Sequence, residues 1–434
     1  MELFWLEHKK LWRKKIVKIC VFLCFVYYVI FGSILLFQWF GFGSSDDYTS
    51  AFGNNFDGYT VIKDSQGYAL SFGGELTDET LQQIVSDYQQ MEADGMEEEL
   101  EKTDWQIVNS WLGTLYPELR DTSNYKTMIS YVDPDKLTGF YERRQQVLDE
   151  FLDVSGQVGA EKEFLHQIER KVEKPFHYEW VEGWSTLLGS TVADLGVVMA
   201  LFLGIVLSSL FAGEWHDNTS ALVLTTRNGW GKIALAKILT GLAFTVELFA
   251  LLAVSSVISQ LFFMGTAGWD MPIQNIKLIA VAPMNMLQAE IYEYAFVLLG
   301  AIGFAGIVMF ISAAVKNNVL TLLLSLAVVY GPMMIAEYLP YGMQKALDLI
   351  PLVGSSTDIF RTNTFSIFGK LIWSPYLLIT IPVLMYAIRY KELVKKDEGI
   401  NNNIIMAEIV GDKDKLNVIY HQAEVRFKQQ YKKK

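Results

Sequence analysis

The chain is short of charge, cysteine and histidine, and each shortage excludes something. Only 19% of its 434 residues are charged, below the share expected for a soluble chain, and the charge is missing altogether from several long stretches. The two cysteines, Cys20 and Cys24, fall on one apolar run at helical i, i+4 spacing. Two turns of one helix hold such side chains too parallel for a relaxed disulfide, so both are expected as helix- or lipid-facing apolar residues. The five histidines make no ligand-spaced pair, so no metal site is expected. Gly231-Lys232 has Thr226 and Ile233 where a phosphate loop needs glycine and a hydroxyl residue, so the chain is not expected to bind ATP. No nucleophile or acid–base pair stands out, and the chain is not read as an enzyme.

What the sequence does have is apolar length. Hydrophobic residues make up 51%, concentrated before residue 41 and after residue 187. The runs 19–37, 187–211, 238–263, 294–315, 319–339 and 371–388 are each long enough, as helices, to cross about 30 Å of hydrocarbon. Pro332, Pro375 and Pro382 are expected to bend the last two. The fold class expected is an all-α polytopic membrane protein of six transmembrane helices, with an inserted, mainly helical α+β extracellular domain. Residues 1–15 mix Leu3, Phe4, Trp5, Leu11 and Trp12 with Lys9, Lys10, Arg13, Lys14 and Lys15, which reads as an amphipathic interfacial helix before the first transmembrane segment at 16–40.

Lysines and arginines set the expected orientation. The amino-terminal cluster, Arg227, Lys232, Lys237, Lys316, Arg389, Lys391, Lys395 and Lys396 all fall on one side, so both termini are placed in the cytoplasm. Residues 43–185 then lie outside. Over 43–183 there are 29 acidic against 11 basic residues. This excess argues against a nucleic-acid partner and fits either simple solubility or attraction of a cationic ligand. Within this domain the pattern predicts a hairpin from strands 59–63 and 68–72. It also predicts a helix capped by Thr77, and helices over 135–153 and 161–172. The tail 390–434 is cytoplasmic, either touching anionic lipid through its basic end or disordered.

The segment after the second span ends that span at Glu214, continues through Trp215, His216, Asp217, Asn218 and Thr219, and reaches Arg227 before Lys237 opens the next span. A blunt polar hairpin, 212–232, projects into the cytoplasm. Here the sequence resembles the type-2 ABC exporter permease family: Glu214, Thr219, Thr225-Thr226 and Lys237 match its pattern, with Asn218 in place of a glycine, Arg227 of a proline and Trp230 of an arginine. The membrane portion at 187–389 shares the family's order of elements, including a polar re-entrant stretch before the last span, here 341–370. The large insertion is similar to that of Gram-positive permeases for peptides, lipids or antimicrobials.

The resemblance implies a permease subunit whose hairpin is a coupling helix docking on a separate ATPase. Two ATPase copies would carry ATP and magnesium, this chain binding no cofactor itself. A second permease chain, identical or homologous, membrane lipid and a cationic peptide substrate complete the expected partners, in a Gram-positive plasma membrane. The alternative is a receptor or sensor whose extracellular domain binds a ligand without transport. Two carboxylates fall within spans, Asp194 and Glu247. An ionised carboxylate there costs roughly 2.5–3.5 kcal/mol, so each marks either a substrate path or a structural helix interface.

Overall fold

The computed structural model describes residues 2–27, 73–96, 105–121, 124, 126–216, 229–336, 338, 360, 364–367 and 370–373. The protein is mostly helical. Helix α1 (Glu2–Arg13) begins acidic and ends basic, which suits the helix dipole. It breaks at Lys14, whose backbone is extended, before α2 (Lys15–Phe25). Three later helices form the body: α8 (Val192–His216), α9 (Gly229–Met264) and α10 (Met286–Val315). Each contains a stretch long and apolar enough to cross a membrane, Asp194–Glu214, Lys232–Phe262 and Met286–Val315. The chain thus has the helix lengths and composition of a membrane protein.

These helices pack by small residues and interdigitation, since lipid supplies no hydrophobic drive between them. Leu195, Met199, Leu203, Val206, Leu207 and Leu210 of α8 lie buried against Ala301, Phe304, Ala305, Val308 and Met309 of α10 and Phe244, Leu248 and Leu252 of α9. Gly241 brings α9 so near α10 that a Cβ there would sit 2.6 Å from the Met309 sulfur. Cys20 and Cys24 are buried in the same cluster as free thiols. Helix α11 (Asn318–Ala336) packs on α8 and α10, running helical through Pro332.

The 73–185 unit is built on a short antiparallel pair, β1 (Gly74–Leu76) with β2 (Phe176–Tyr178), which joins its two ends. As the sequence predicts, α3 (Asp78–Ala93) is capped by Thr77, whose side chain accepts from Thr80 N at 3.2 Å. The carboxylate of Asp78 reaches further, accepting from Gly139 N at 2.7 Å and Phe140 N at 2.9 Å. It thereby caps α5 (Phe140–Val154) across 62 residues of chain. That helix starts five residues later than position 135, because Pro134–Lys136 forms a 3-10 turn and Gly139 adopts the left-handed φ of 72°. Helix α6 (Ala160–Glu169) ends three residues short of 172. Helix α4 (Trp105–Leu115), with Val108, Trp111, Leu112 and Leu115 buried, is unanticipated. Helix α7 (Glu182–Thr186) and a π-turn at Leu187–Thr191 lead into α8.

Several expectations need correction or fall elsewhere. Residues 371–373, expected to open a sixth span, instead form β4 (Lys370–Trp373), antiparallel to β3 (Thr364–Ile367). Both strands also fall at the edge of the expected re-entrant stretch. Thr364, Phe365, Ile367, Ile372 and Trp373 are β-branched or aromatic residues, which favour extended backbone. The helix expected from 294 as a fourth span begins eight residues earlier, at Met286. Asn285 and Gln288 form a reciprocal capping box, Gln288 N to Asn285 Oδ1 2.8 Å and Asn285 N to Gln288 Oε1 3.2 Å. The expected hairpin 59–63/68–72, the second half of the first span, the rest of the sixth span and the tail lie outside the described residues.

Candidate functional site

At one end of the bundle, Glu214 on the last turn of α8 is the centre of an ion cluster. Lys237 of α9 meets it at 2.6 Å and Lys10 of α1 at 3.6 Å. Lys237 is almost fully buried and also donates to Leu210 O at 2.9 Å, with Phe211 beneath its ammonium group. A lysine so buried is held only because a carboxylate, a carbonyl and an aromatic face replace its water. Ser312 of α10 completes the joint. It accepts from Phe211 N and Ala212 N at 3.2 and 3.0 Å and donates to Ser208 O at 2.6 Å, inserting its hydroxyl into the backbone ladder of α8. Four elements, α1, α8, α9 and α10, are thus tied together at the end of α8 and the start of α9.

Helix α1 is held a second time, further along α9. Glu247 accepts from Trp12 Nε1 at 2.9 Å and faces His8 Nε2 at 3.2 Å, while Trp12 packs edge-on against Phe244. Lys14 donates to Ser209 Oγ of α8 at 2.9 Å. Glu247 therefore lies at a contact between α1 and α9. Asp194 is not brought near it. That residue sits on the first turn of α8, within electrostatic range of Tyr27. Trp215 and His216 close α8; Asp217, Asn218, Thr219 and Arg227 lie outside the described residues.

At the opposite end, residues 265–285, which join α9 to α10, are gripped by the 73–185 unit. The fully buried guanidinium of Arg144 (α5) donates to Leu278 O at 2.7 Å and Ala280 O at 3.0 Å, and pairs with Glu169 at 2.6 Å. Trp111 Nε1 donates to Asn275 O at 2.9 Å, and Asn275 Nδ2 to His177 O at 2.8 Å. Burial lowers the proton affinity of Arg144, while Glu169 and Tyr141 oppose that shift. Burial also raises Glu169, but hydrogen bonds from Lys174 and Arg144 outweigh it and hold its carboxyl below the ordinary range. Lys277 of the same segment donates to Leu188 O at 3.1 Å and pairs with Glu293 of α10 at 3.3 Å. The clamp therefore runs from the 73–185 unit through residues 265–285 to the start of α8 and α10. Beside it, burial pushes the Glu182 carboxyl up.

A groove of about 710 Å³ on the 73–185 unit is lined by Asn109, Arg120, Asp121, Lys126, Met128 and Tyr131 among others. Its charges are mixed, and so do not by themselves select a cationic ligand. Lys126 is already engaged by Glu92 at 2.8 Å.

Arg144, Lys277, Glu290 and Glu293 escaped the sequence reading. The Asn285–Gln288 capping box was the signal that could have drawn the last two into a helix. No protein-family model matches the chain, and neither curated proteins nor solved structures give a match.

Proposed function

We propose that the chain is the transmembrane permease subunit of an ABC exporter, moving a peptide, lipid or antimicrobial-type substrate on ATP hydrolysed by two separate ATPase subunits. The observation that supports this most directly is the Lys10–Glu214–Lys237 cluster. It joins α1, α8 and α9 at the end of α8 and the start of α9, so a push on the coupling hairpin expected at 212–232 would reach three helices at once instead of being absorbed by one. On this reading the Glu214 end is cytoplasmic and the 73–185 unit, part of a domain at 43–185, is extracellular. Six spans cross the plasma membrane of a Gram-positive cell, both termini lie inside, and a second permease chain completes the pathway. Asp217, Asn218, Thr219 and Arg227 join Glu214, Trp215 and His216 in contacting the ATPase. ATP and magnesium belong to that partner.

Coupling of this kind requires the nucleotide states to favour different arrangements of the helices. The test is hydrolysis by the cognate ATPase reconstituted with the full chain. Glu214→Ala and Arg227→Ala are expected to abolish the dependence of hydrolysis on the permease. Hydrolysis that stays fully dependent in both variants would remove the mechanism. Topology is tested separately in a Cys20→Ala, Cys24→Ala background. A Ser123→Cys chain should react with an impermeant thiol reagent on intact cells, and a Ser220→Cys chain only after permeabilisation.

The clamp built on Arg144 and Lys277 also favours a second reading, a sensor in which ligand binding by the outer domain is reported to the helices. A sensor would keep its ligand response in the absence of any ATPase, and an exporter would not.

A further inference from the structure

The walls of the groove on the 73–185 unit are held together by side-chain oxygens, and this leaves the matching donors unused. Asn109 and Gly113, one turn apart on α4, line it on one side, and the chain from Arg120 to Tyr131 on the other. Asn109 Oδ1 accepts from Ile129 N at 3.2 Å. Within the loop, Asn124 Oδ1 accepts from Lys126 N at 3.0 Å and the Tyr131 hydroxyl from Asp121 N at 3.0 Å. Each of these bonds has one possible direction, because a backbone N–H can only donate. The amide orientations are therefore fixed. Asn109 and Asn124 spend their oxygens on the backbone and keep their Nδ2 protons, and Tyr131 keeps its O–H proton. None of the described residues accepts from these three groups.

The charges around the groove limit what those donors can serve. Lys126 is taken up by Glu92, whereas the exposed guanidinium of Arg120 pairs with no carboxylate among the described residues. Asp121 on the same rim repels any second negative charge on a ligand. One unpaired guanidinium beside neutral N–H and O–H donors matches a single carboxylate, whose two oxygens take the guanidinium fork. A phosphate dianion would bring a charge that nothing here balances. The space, about 710 Å³, is larger than a carboxylate needs and is of the size that holds a small organic molecule. Its base is apolar: Met128 is 5% exposed, and a Cβ added at Gly113 would meet open space.

We propose that this groove is a binding site for a small organic carboxylate. Arg120 pairs with its oxygens, Asn109, Asn124 and Tyr131 supply the surrounding donors, and its apolar part lies over Met128 and Gly113. The site rests on neither the exporter nor the sensor reading of the whole chain, and it selects the opposite charge to the cationic substrate expected of the exporter.

Saturation-transfer NMR on the full chain in lipid nanodiscs, read against empty nanodiscs, tests the site. The probe is N-acetyl-leucine, with N-acetyl-leucinamide as its uncharged match and inorganic phosphate as a competing anion. Asn109→Asp keeps the oxygen that Ile129 N requires but turns the groove-facing donor into a charged acceptor. Gly113→Phe fills the groove from a helix position where a side chain meets open space, and it removes a poor helix former. The acid is expected to bind at about millimolar concentration or below, and the amide at least about tenfold more weakly. Asn109→Asp and Arg120→Gln should each weaken the acid by about tenfold or more, Gly113→Phe should remove it, and an equal concentration of phosphate should not displace it. Equal binding of acid and amide, displacement by phosphate, or no signal from the acid up to about 10 mM overturns the proposal. So does undiminished binding in Asn109→Asp. Should that variant not fold, a Gly113→Phe chain that binds the acid as the parent does overturns it equally.

Discussion

Arg144 and Glu169 meet at 2.6 Å in a place water does not reach, their side chains 0% and 4% exposed. The pair is not merely internal to the 73–185 unit, because the remaining donors of Arg144 take the carbonyls of Leu278 and Ala280, which belong to the segment between α9 and α10. A buried charge bound on three sides is costly to disturb. Arg144→Ala is expected to destabilise the protein by about 3–5 kcal/mol, and Arg144→Lys to recover little, since an ammonium cannot reproduce the fork. Thermal unfolding of the detergent-purified chain measures this. A loss below about 1 kcal/mol would mean that the clamp is not the principal tie.

The same pair gives the clamp an acid limit. Glu169 is held below its ordinary value of 4.5, so the folded state binds its proton less readily than the unfolded one. Its contribution to stability is therefore complete above about pH 4.5 and is lost as pH falls below it through the depressed folded value. Hydrogen exchange at residues 276–280 should accelerate over that acid range in the parent chain. In Glu169→Gln the acceleration over that range should be absent. Identical acid profiles in the two proteins would show that another carboxylate sets the limit.

Much of this arrangement could be read in the sequence, and the remainder was hidden for identifiable reasons. Thr77 before Asp78 and Glu79 announced α3, and the long uncharged runs announced α8 and α9. The start of α10 was concealed because Glu290 and Glu293 look foreign to a span, and the partner of Glu293, Lys277, lies in the connecting segment before the helix. Helix α4 carries no acidic residue in its first turn and no basic residue in its last, so its Val108–Trp111–Leu112–Leu115 stripe passed without a boundary signal. The ion cluster was half visible. Glu214 and Lys237 stood out by their positions at the ends of two runs, but the role of Lys10 depends on a contact 204 residues away in sequence.

Within that cluster the two lysines should differ sharply. Lys237 is buried, whereas Lys10 is 58% exposed and 3.6 Å from the carboxylate. A double-mutant cycle on Glu214 and Lys237 is expected to give a coupling energy above about 1.5 kcal/mol. The same cycle on Glu214 and Lys10 should stay within about 0–1 kcal/mol and shrink in high salt. Equal couplings for the two lysines would contradict the burial difference.

Tyr141 makes the ends of the 73–185 unit sensitive to alkali. Its hydroxyl donates to Leu76 O at 2.8 Å and accepts from Phe176 N at 2.6 Å, bridging β1 and β2 at a single point. Burial pushes the phenol from 10.0 up to about 12. A folded value raised in this way stabilises the protein fully below about pH 10, and that stability is lost as pH rises towards about 12. Tyr141→Phe removes both bonds and strands a buried carbonyl and amide, costing about 1–3 kcal/mol at neutral pH, but it should flatten the alkaline loss. Ultraviolet phenolate titration alongside thermal melting distinguishes these effects. A Tyr141→Phe chain that melts as the parent does at neutral pH, yet loses stability over the same alkaline window, would place the sensitivity on another tyrosine.

Gly268 tests whether the clamp depends on close backbone approach as well as on charge. Its φ is +77°, and a Cβ added there would lie 2.4 Å from the Trp180 carbonyl oxygen, far inside contact distance. Neither atom can yield easily. One is backbone, and Trp180 is itself fixed by its indole N–H, which donates to Met264 O at 3.3 Å. Gly268→Ala should therefore push residues 265–285 away from the chain entering α7. It adds the strain of a left-handed alanine to a clash that no side-chain rotation relieves. The expected outcome is a loss of about 2 kcal/mol or more, with protease cleavage appearing within 265–285 while the helices α8, α9 and α10 stay protected. Gly265, also at positive φ but with open space where a Cβ would go, supplies the control. Gly265→Ala carries the backbone strain without the collision and should be cut markedly more slowly. If both variants are cleaved alike, strain alone accounts for the effect and the contact with Trp180 contributes nothing of its own.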